Sequence, residues 1–316
     1  MKNVNHFKQW IIGAAALLII GNTGVAYAAD VGVAWVGKSG MADRVNSGFE
    51  KGIREIGQGI NLLFHKDLDD LDTLAAVVKE YESKMDGMVI LRSNGAKWLG
   101  NHPPTIPTFI GGCNHPVQLG VLQNMDSPEG KITGVTYYLP VATQFETFQA
   151  IIPDLKSVLL LLGAGNPSAE VDRKETQMIC GNLGLKYHEK MVENTQDAIA
   201  AVREFKGKVS MMIIGNQGKV FDIAKELVTA ADKTPVVSYS SEPVKDGALG
   251  GFVADDEILG YMLAQSVVDV LVNGKAIKQV PVKVDPKPTF CVNVTTAQKL
   301  DVKIPYEILS LAKVIE

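Results

Sequence analysis

Cysteine is scarce in this chain. Its 316 residues include three, Cys113, Cys180 and Cys291, odd in number and far apart. Export would permit one disulfide, but the spacing demands none, and no C-x-x-C is present. The five histidines fall at no metal-ligand spacing, and no H-E-x-x-H occurs. No metal and no cofactor are expected. Basic blocks are missing as well. With a formal net charge of −4, the chain is a poor partner for nucleic acid or an anionic membrane. No nucleophile elbow surrounds Ser39, Ser93, Ser240 or Cys113. Glu242, Asp255 and Asp256 have the setting of solvated caps, and His115 beside Asn114 has no sequence partner to orient it. The chain is not expected to be an enzyme.

The stretch "GAGNPS" (163–168) lacks what a dinucleotide site needs. Ser168 replaces the third glycine and Pro167 sits where the helix should open. Asn166 as an N-cap with Pro167 at the first helical position accounts for it better.

What is present begins with a leader. Lys2 and Lys8 precede the apolar run "WIIGAAALLIIG" (10–21), and Ala26 and Ala28 occupy the small-residue positions of a cleavage site. Residues 1–28 read as a secretory signal peptide, the alternative being an uncleaved anchor. No cysteine adjoins the cleavage point, so no lipid anchor is expected, and no later run is long enough to span a bilayer. The body is expected in the periplasm.

From residue 31 strands and helices alternate. Apolar runs at 31–36, 60–65, 87–91, 105–111, 120–124 and 132–140 read as strands, with helices at 41–57 and 71–85. A second series follows. Its strands are expected at 157–163, 185–192, 209–215, 234–240 and 249–255, and its helices at 169–183, 195–206, 219–232 and 257–273. Nearly continuous apolar strands are those of parallel sheets covered on both faces. The expected fold is α/β, with two doubly wound parallel-sheet lobes joined by a multi-strand hinge. The lobe limits are 29–137 plus 253–276 for the first and 138–252 plus 277–316 for the second.

In such sheets ligands bind beyond the carboxyl ends of the strands. Those ends share glycine with a small hydroxyl or amide. "GKSG" (37–40) offers Ser39, "RSNG" (92–95) offers Ser93 and Asn94, and "GGCNH" (111–115) offers Cys113 and Asn114. The second series offers Asn166, Asn216 in "GNQG" (215–218), and Tyr239, Ser240 and Glu242 in "SYSSE" (238–242). Each loop alone has the composition of a helix cap. Together they converge on one cleft, which suits a small polar or zwitterionic ligand. Trp35, at the end of the first strand, is either a cleft wall or a core residue. In "GVTYYLP" (134–140) strand parity puts Tyr138 on the polar side, toward ligand, and Tyr137 on the packed side.

Three stretches carry a family resemblance: "ITGVTYYLP" (132–140), "KDGALGGFVADDEILGYMLAQSVVDVLVNGK" (245–275) and "TAQKLDVKIPYEIL" (296–309). The chain resembles ABC-transporter substrate-binding proteins of the type 1 periplasmic-binding fold, in the tryptophan/tyrosine-type branch. The resemblance implies two lobes joined by three crossings, a monomer that closes on a small ligand and presents it to an ABC permease at the inner membrane. It implies a first-lobe hydroxyl, here Ser93, on a ligand carboxylate. It also implies an acid for an amino group near the crossing or in the second lobe. Tyr137 fills the usual polar position after "GVT", and Glu242 is the acid on offer. An amino acid and an aromatic or hydrophobic carboxylate without an amine both remain open. So do a sensory module of the same fold and an exported two-lobed enzyme.

Overall fold

Buried strands form where the apolar runs are nearly continuous. The computed structural model describes residues 28–316. The expected signal peptide lies outside the described residues, apart from Ala28. The first lobe runs β1 (Ala29–Val36), α1 (Gly40–Ile56), β2 (Ile60–Leu68), α2 (Leu71–Lys84), β3 (Gly87–Leu91), α3 (Ser93–Asn101), β4 (Thr108–Gly111) and β5 (Ile132–Gly134). Its parallel sheet has the order β2-β1-β3-β4-β5. The chain reverses direction in the sheet between β1 and β3, where a doubly wound fold opens its crevice.

The second lobe follows with α4 (Val141–Ile151), β6 (Ser157–Gly163), α5 (Ser168–Asn182), β7 (Lys186–Val192), α6 (Thr195–Phe205) and β8 (Met211–Ile214). It continues through α7 (Gly218–Phe221), α8 (Ala224–Ala231), β9 (Val236–Ser238), α9 (Glu242–Lys245) and β10 (Gly250–Val253). The chain returns to the first lobe as α10 (Asp256–Val267). It then supplies β11 (Thr289–Asn293), α11 (Val294–Lys299), α12 (Tyr306–Leu309) and β12 (Lys313–Ile315) to the second. That sheet has the order β12-β11-β10-β9-β8-β6-β7, with β10 and β11 antiparallel. Apolar side chains cover both faces of each sheet, giving two core layers per lobe.

Several expectations shift. "GVLQN" (120–124) is not a strand: tight turns hold the segment, with Leu119 N donating to His115 O and Gly120 at φ 75°, while Leu119 and Leu122 are buried. The expected helix 219–232 breaks into α7 and α8, and 257–273 ends in a single π turn after α10. The run 132–140 is a strand only to Gly134, and beyond it the chain crosses between lobes. Residues 277–283, expected in the second lobe, lie against β5. Thr133 Oγ1 donates to Val280 O (2.5 Å) and Lys283 N to Gly134 O (2.9 Å), which holds 277–283 against β5.

α10 seats on α1 because glycine clears the crossing. A Cβ on Gly48 would lie 2.1 Å from Glu257 O, and one on Gly260 would lie 2.0 Å from Val45 O. Backbone meets backbone there, so no rotamer relieves the contact. Gly260→Val is expected to destabilise the protein by about 3 kcal/mol, read in urea unfolding. A midpoint equal to wild type would show that the helices do not touch in solution.

Candidate functional site: the inter-lobe cleft

The carboxyl ends of β1, β3 and β4 face those of β6, β8 and β9 across a cleft. Its walls come from both lobes and from the crossings. Tyr137, Tyr138, Tyr239 and Phe252 supply rings, and Asp172, Glu175 and Asp256 supply carboxylates. About 40 Å³ of free volume remains in the cleft, room for a few waters, so a larger solute needs the lobes to part.

Asp172 organises the floor. It lies one turn into α5 on the inward stripe with Ala169, Thr176 and Ile179, and is 5% exposed. Asn114 Nδ2 donates to its Oδ1 across the lobes at 2.9 Å. Asn216 N (2.9 Å) and Gln217 Nε2 (2.7 Å) donate to its Oδ2. Burial pushes the carboxyl up to about 6, against these three hydrogen bonds, which favour the charge. Asn114 is held in turn by the first lobe, its N–H donating to Ser93 Oγ (3.0 Å), which sits 3.5 Å from Tyr137 OH.

The crossing aims the two tyrosines. Thr136 is fully buried; its Oγ1 donates to Cys113 O (2.9 Å) and accepts from Tyr138 N (3.0 Å). That local turn cancels strand parity, and both rings line the cleft. Tyr137 also packs on the first-lobe core. Tyr138 OH donates to Glu175 Oε2 (3.1 Å), and its ring meets His115 edge-on at 4.5 Å. Burial raises both phenols and keeps them neutral. Tyr239 OH pairs with Thr176 Oγ1 at 2.7 Å.

The rim is pinned by charge. Arg44 on α1 reaches Glu242 on α9 and Asp256 on α10, each at 2.8 Å. Burial lifts Asp256 to about 6 despite Arg44. Below the rim Arg92, at φ 75°, donates from Nη1 to Val36 O and to Gly37 O (3.0 Å for the latter). That guanidinium braces the β1–α1 loop against the β3–α3 loop.

Of the expected site residues, the structure brings Asn114, Tyr137, Tyr138, Asn216, Tyr239 and Ser240 to the cleft. The others fall elsewhere. Trp35 is fully buried in the first-lobe core, its indole N–H donating to Asp67 Oδ1 (3.2 Å). Ser39 caps α1, accepting from Ala42 N. Ser93 lies behind Asn114. Cys113 points into the core, where burial pushes its thiol up to about 12. Asn94 and Asn166 line an outer groove, and Asn166 Oδ1 accepts from Ser168 N (3.0 Å) just ahead of α5, whose cap position is taken by Pro167 rather than by Asn166 as expected. Glu242 meets Arg44 at the rim (2.8 Å), whereas Asp172, Glu175 and Asp256 line the cleft. All three cysteines are free and buried. Among the described residues no group of three His, Cys, Asp or Glu could hold a metal, and no helix is long and apolar enough to cross a membrane.

Sequence reasoning did not place Asp172, Glu175, Gln144, Phe252 and Asp256 at the cleft, which they line. Asp172 and Gln144 had a signal: each is a polar residue in register with a buried stripe, Gln144 among Val141, Phe145, Phe148 and Ile151. Glu175 and Phe252 had none.

Comparison with known proteins fits this geometry. The family model for ABC transporter substrate binding proteins matches residues 30–315. A tyrosine-binding protein of Clostridioides difficile (strain R20291) is 20% identical over 281 residues, 87% of this chain and 81% of that protein. Among solved structures, an ABC domain in complex with L-Trp from Streptococcus pneumonia superposes with a TM-score of 0.81 at 21% identity, over 92% of this chain and 100% of that one. A ligand-free, open substrate binding protein with adhesive properties from Clostridium difficile gives 0.75 at 20% identity, over 91% and 99%. The fold is the two-lobed α/β fold of type 1 periplasmic binding proteins. These relatives are substrate-binding proteins, not enzymes. The chain belongs to the ABC transporter substrate binding protein family.

Proposed function

We propose that this protein is the exported solute receptor of an ABC importer. It captures a compact solute with an aromatic or hydrophobic body between its lobes and delivers it to the permease at the inner membrane, acting as a periplasmic monomer. The observation that carries the reading is the cleft itself: four aromatic rings and a buried Asp172, drawn from both lobes and the crossings. A solute touching both lobes binds the closed form better and so draws the equilibrium toward it. The L-Trp complex and the tyrosine-binding relative make aromatic amino acids and the amines that share their side chains the first compounds to screen.

A thermal-shift screen of the purified protein against small metabolites tests the reading. At a hundredfold excess over its Kd, the right solute adds about 2.7 kcal/mol and raises the melting temperature, with no conversion of the compound. A screen in which no metabolite raises the melting temperature ends the receptor reading, and turnover of a bound compound ends the non-enzymatic one.

A further inference from the structure

We infer that the solute is an organic ammonium compound without a carboxylate, its charged end at Asp172 and its apolar part against Tyr137, Tyr138, Tyr239 and Phe252. The inference rests on the receptor reading above and fixes the charge of the solute's polar end.

Three carboxylates face the cleft, and no Lys, Arg or His lines it. Arg44 offsets Asp256. Asp172 and Glu175 have no cationic nitrogen within 4.0 Å among the described residues. Their partners are neutral donors: Asn114, Asn216 and Gln217 for Asp172, Tyr138 OH and Gln118 Nε2 for Glu175. His115, whose ring meets Tyr138, is half-buried, and burial favours its neutral form. A desolvated carboxylate without counter-charge is unfavourable, and a ligand ammonium supplies that charge.

Gln144 points the same way independently. It lines the cleft and is 4% exposed. Its Nε2 donates to Leu139 O (3.3 Å), which fixes the orientation of the amide. Its Oε1 is buried and accepts no hydrogen bond. The cleft thus holds a carboxylate and an unused amide acceptor, both calling for N–H donors. Aromatic faces attract cations as well. A ligand carboxylate finds the reverse. It meets Asp172 and Glu175, and Ser93 Oγ, the hydroxyl the family resemblance assigns to it, accepts from Asn114 N behind the wall.

Calorimetric titration of the purified protein with two matched sets tests this. One set is tyramine, L-tyrosine, 3-(4-hydroxyphenyl)propionate and the neutral 4-ethylphenol; the other is 3-methylbutan-1-amine, L-leucine, 4-methylpentanoate and the neutral 3-methylbutan-1-ol. In a set that binds, the cation is expected to bind at least ~10-fold tighter than the zwitterion, with no measurable binding of the carboxylate. Asp172→Asn is expected to weaken the cation about 30-fold or more and leave a neutral analogue unchanged, which a purely structural role would not do. A zwitterion or carboxylate that equals the cation overturns the inference, as does an unchanged cation affinity in Asp172→Asn. If neither set binds, the tightest solute of the metabolite screen decides. A solute without positive charge overturns the inference and leaves the receptor reading standing, a carboxylate-free cation upholds it, and no binder at all overturns both.

Discussion

Replacing Trp35 by alanine is expected to destabilise the protein by about 3–5 kcal/mol while leaving solute affinity at 25 °C unchanged. The side chain is fully buried among Val33, Phe49, Leu259 and Leu263. Truncation leaves a cavity that the close-seated α1 and α10 cannot collapse into, and it strands Asp67, whose Oδ1 accepts from the indole N–H. Chemical unfolding and calorimetry of the same preparation check both halves. A tenfold loss of affinity with an unchanged unfolding midpoint would move the indole from the core to the cleft wall.

The second expectation separates binding from stability at Asp172. Its carboxyl titrates at about 6 in the folded protein, against an ordinary value of 3.8. The raised value means that the folded state holds the proton more tightly than the unfolded chain does. Folding is unpenalised below 3.8, the penalty grows as pH rises from there to about 6, and it is full above. At pH 8 the penalty is about 3 kcal/mol. Without solute, Asp172→Asn is therefore expected to melt higher than wild type at pH 8, by roughly 5 °C, with the gain shrinking toward zero by about pH 4. The same variant loses the solute's charged end. A variant that melts lower than wild type at every pH would make Asp172 a structural anchor. The expected trade is that of a site kept unfavourable until its ligand arrives.

The architecture was readable because parallel strands covered on both faces must be apolar almost throughout, as in "SVLLLLG" and "VGVAWV", and because their ends carry glycine with cap residues. Ser39 and Asp255 do cap helices. That same economy hid part of the site. A serine or asparagine after a strand looks alike whether it caps a helix or faces a ligand, so Asn216 and Ser240 could not be told from Ser39. Trp35 was ambiguous because both faces of β1 are buried, and strand parity cannot say which is cleft. Parity also failed at Tyr137 and Tyr138, where Thr136 turns the chain just beyond β5. Glu242, just after β9, was the acid on offer; in the structure it meets Arg44 at the rim, while Asp172 faces the cleft. Asp172 sits on a helix, and its mark was an acid within an apolar stripe rather than any motif.

The central claim, that a solute is held between the lobes, is tested most directly by hydrogen–deuterium exchange with and without the solute that most raises the melting temperature. The expected result is slowed exchange in peptides of both lobes and the crossings at once: 113–115 and 136–141, 168–176, 239–242 and 252–256. Slowing confined to one lobe, or to surfaces away from these segments, would contradict it.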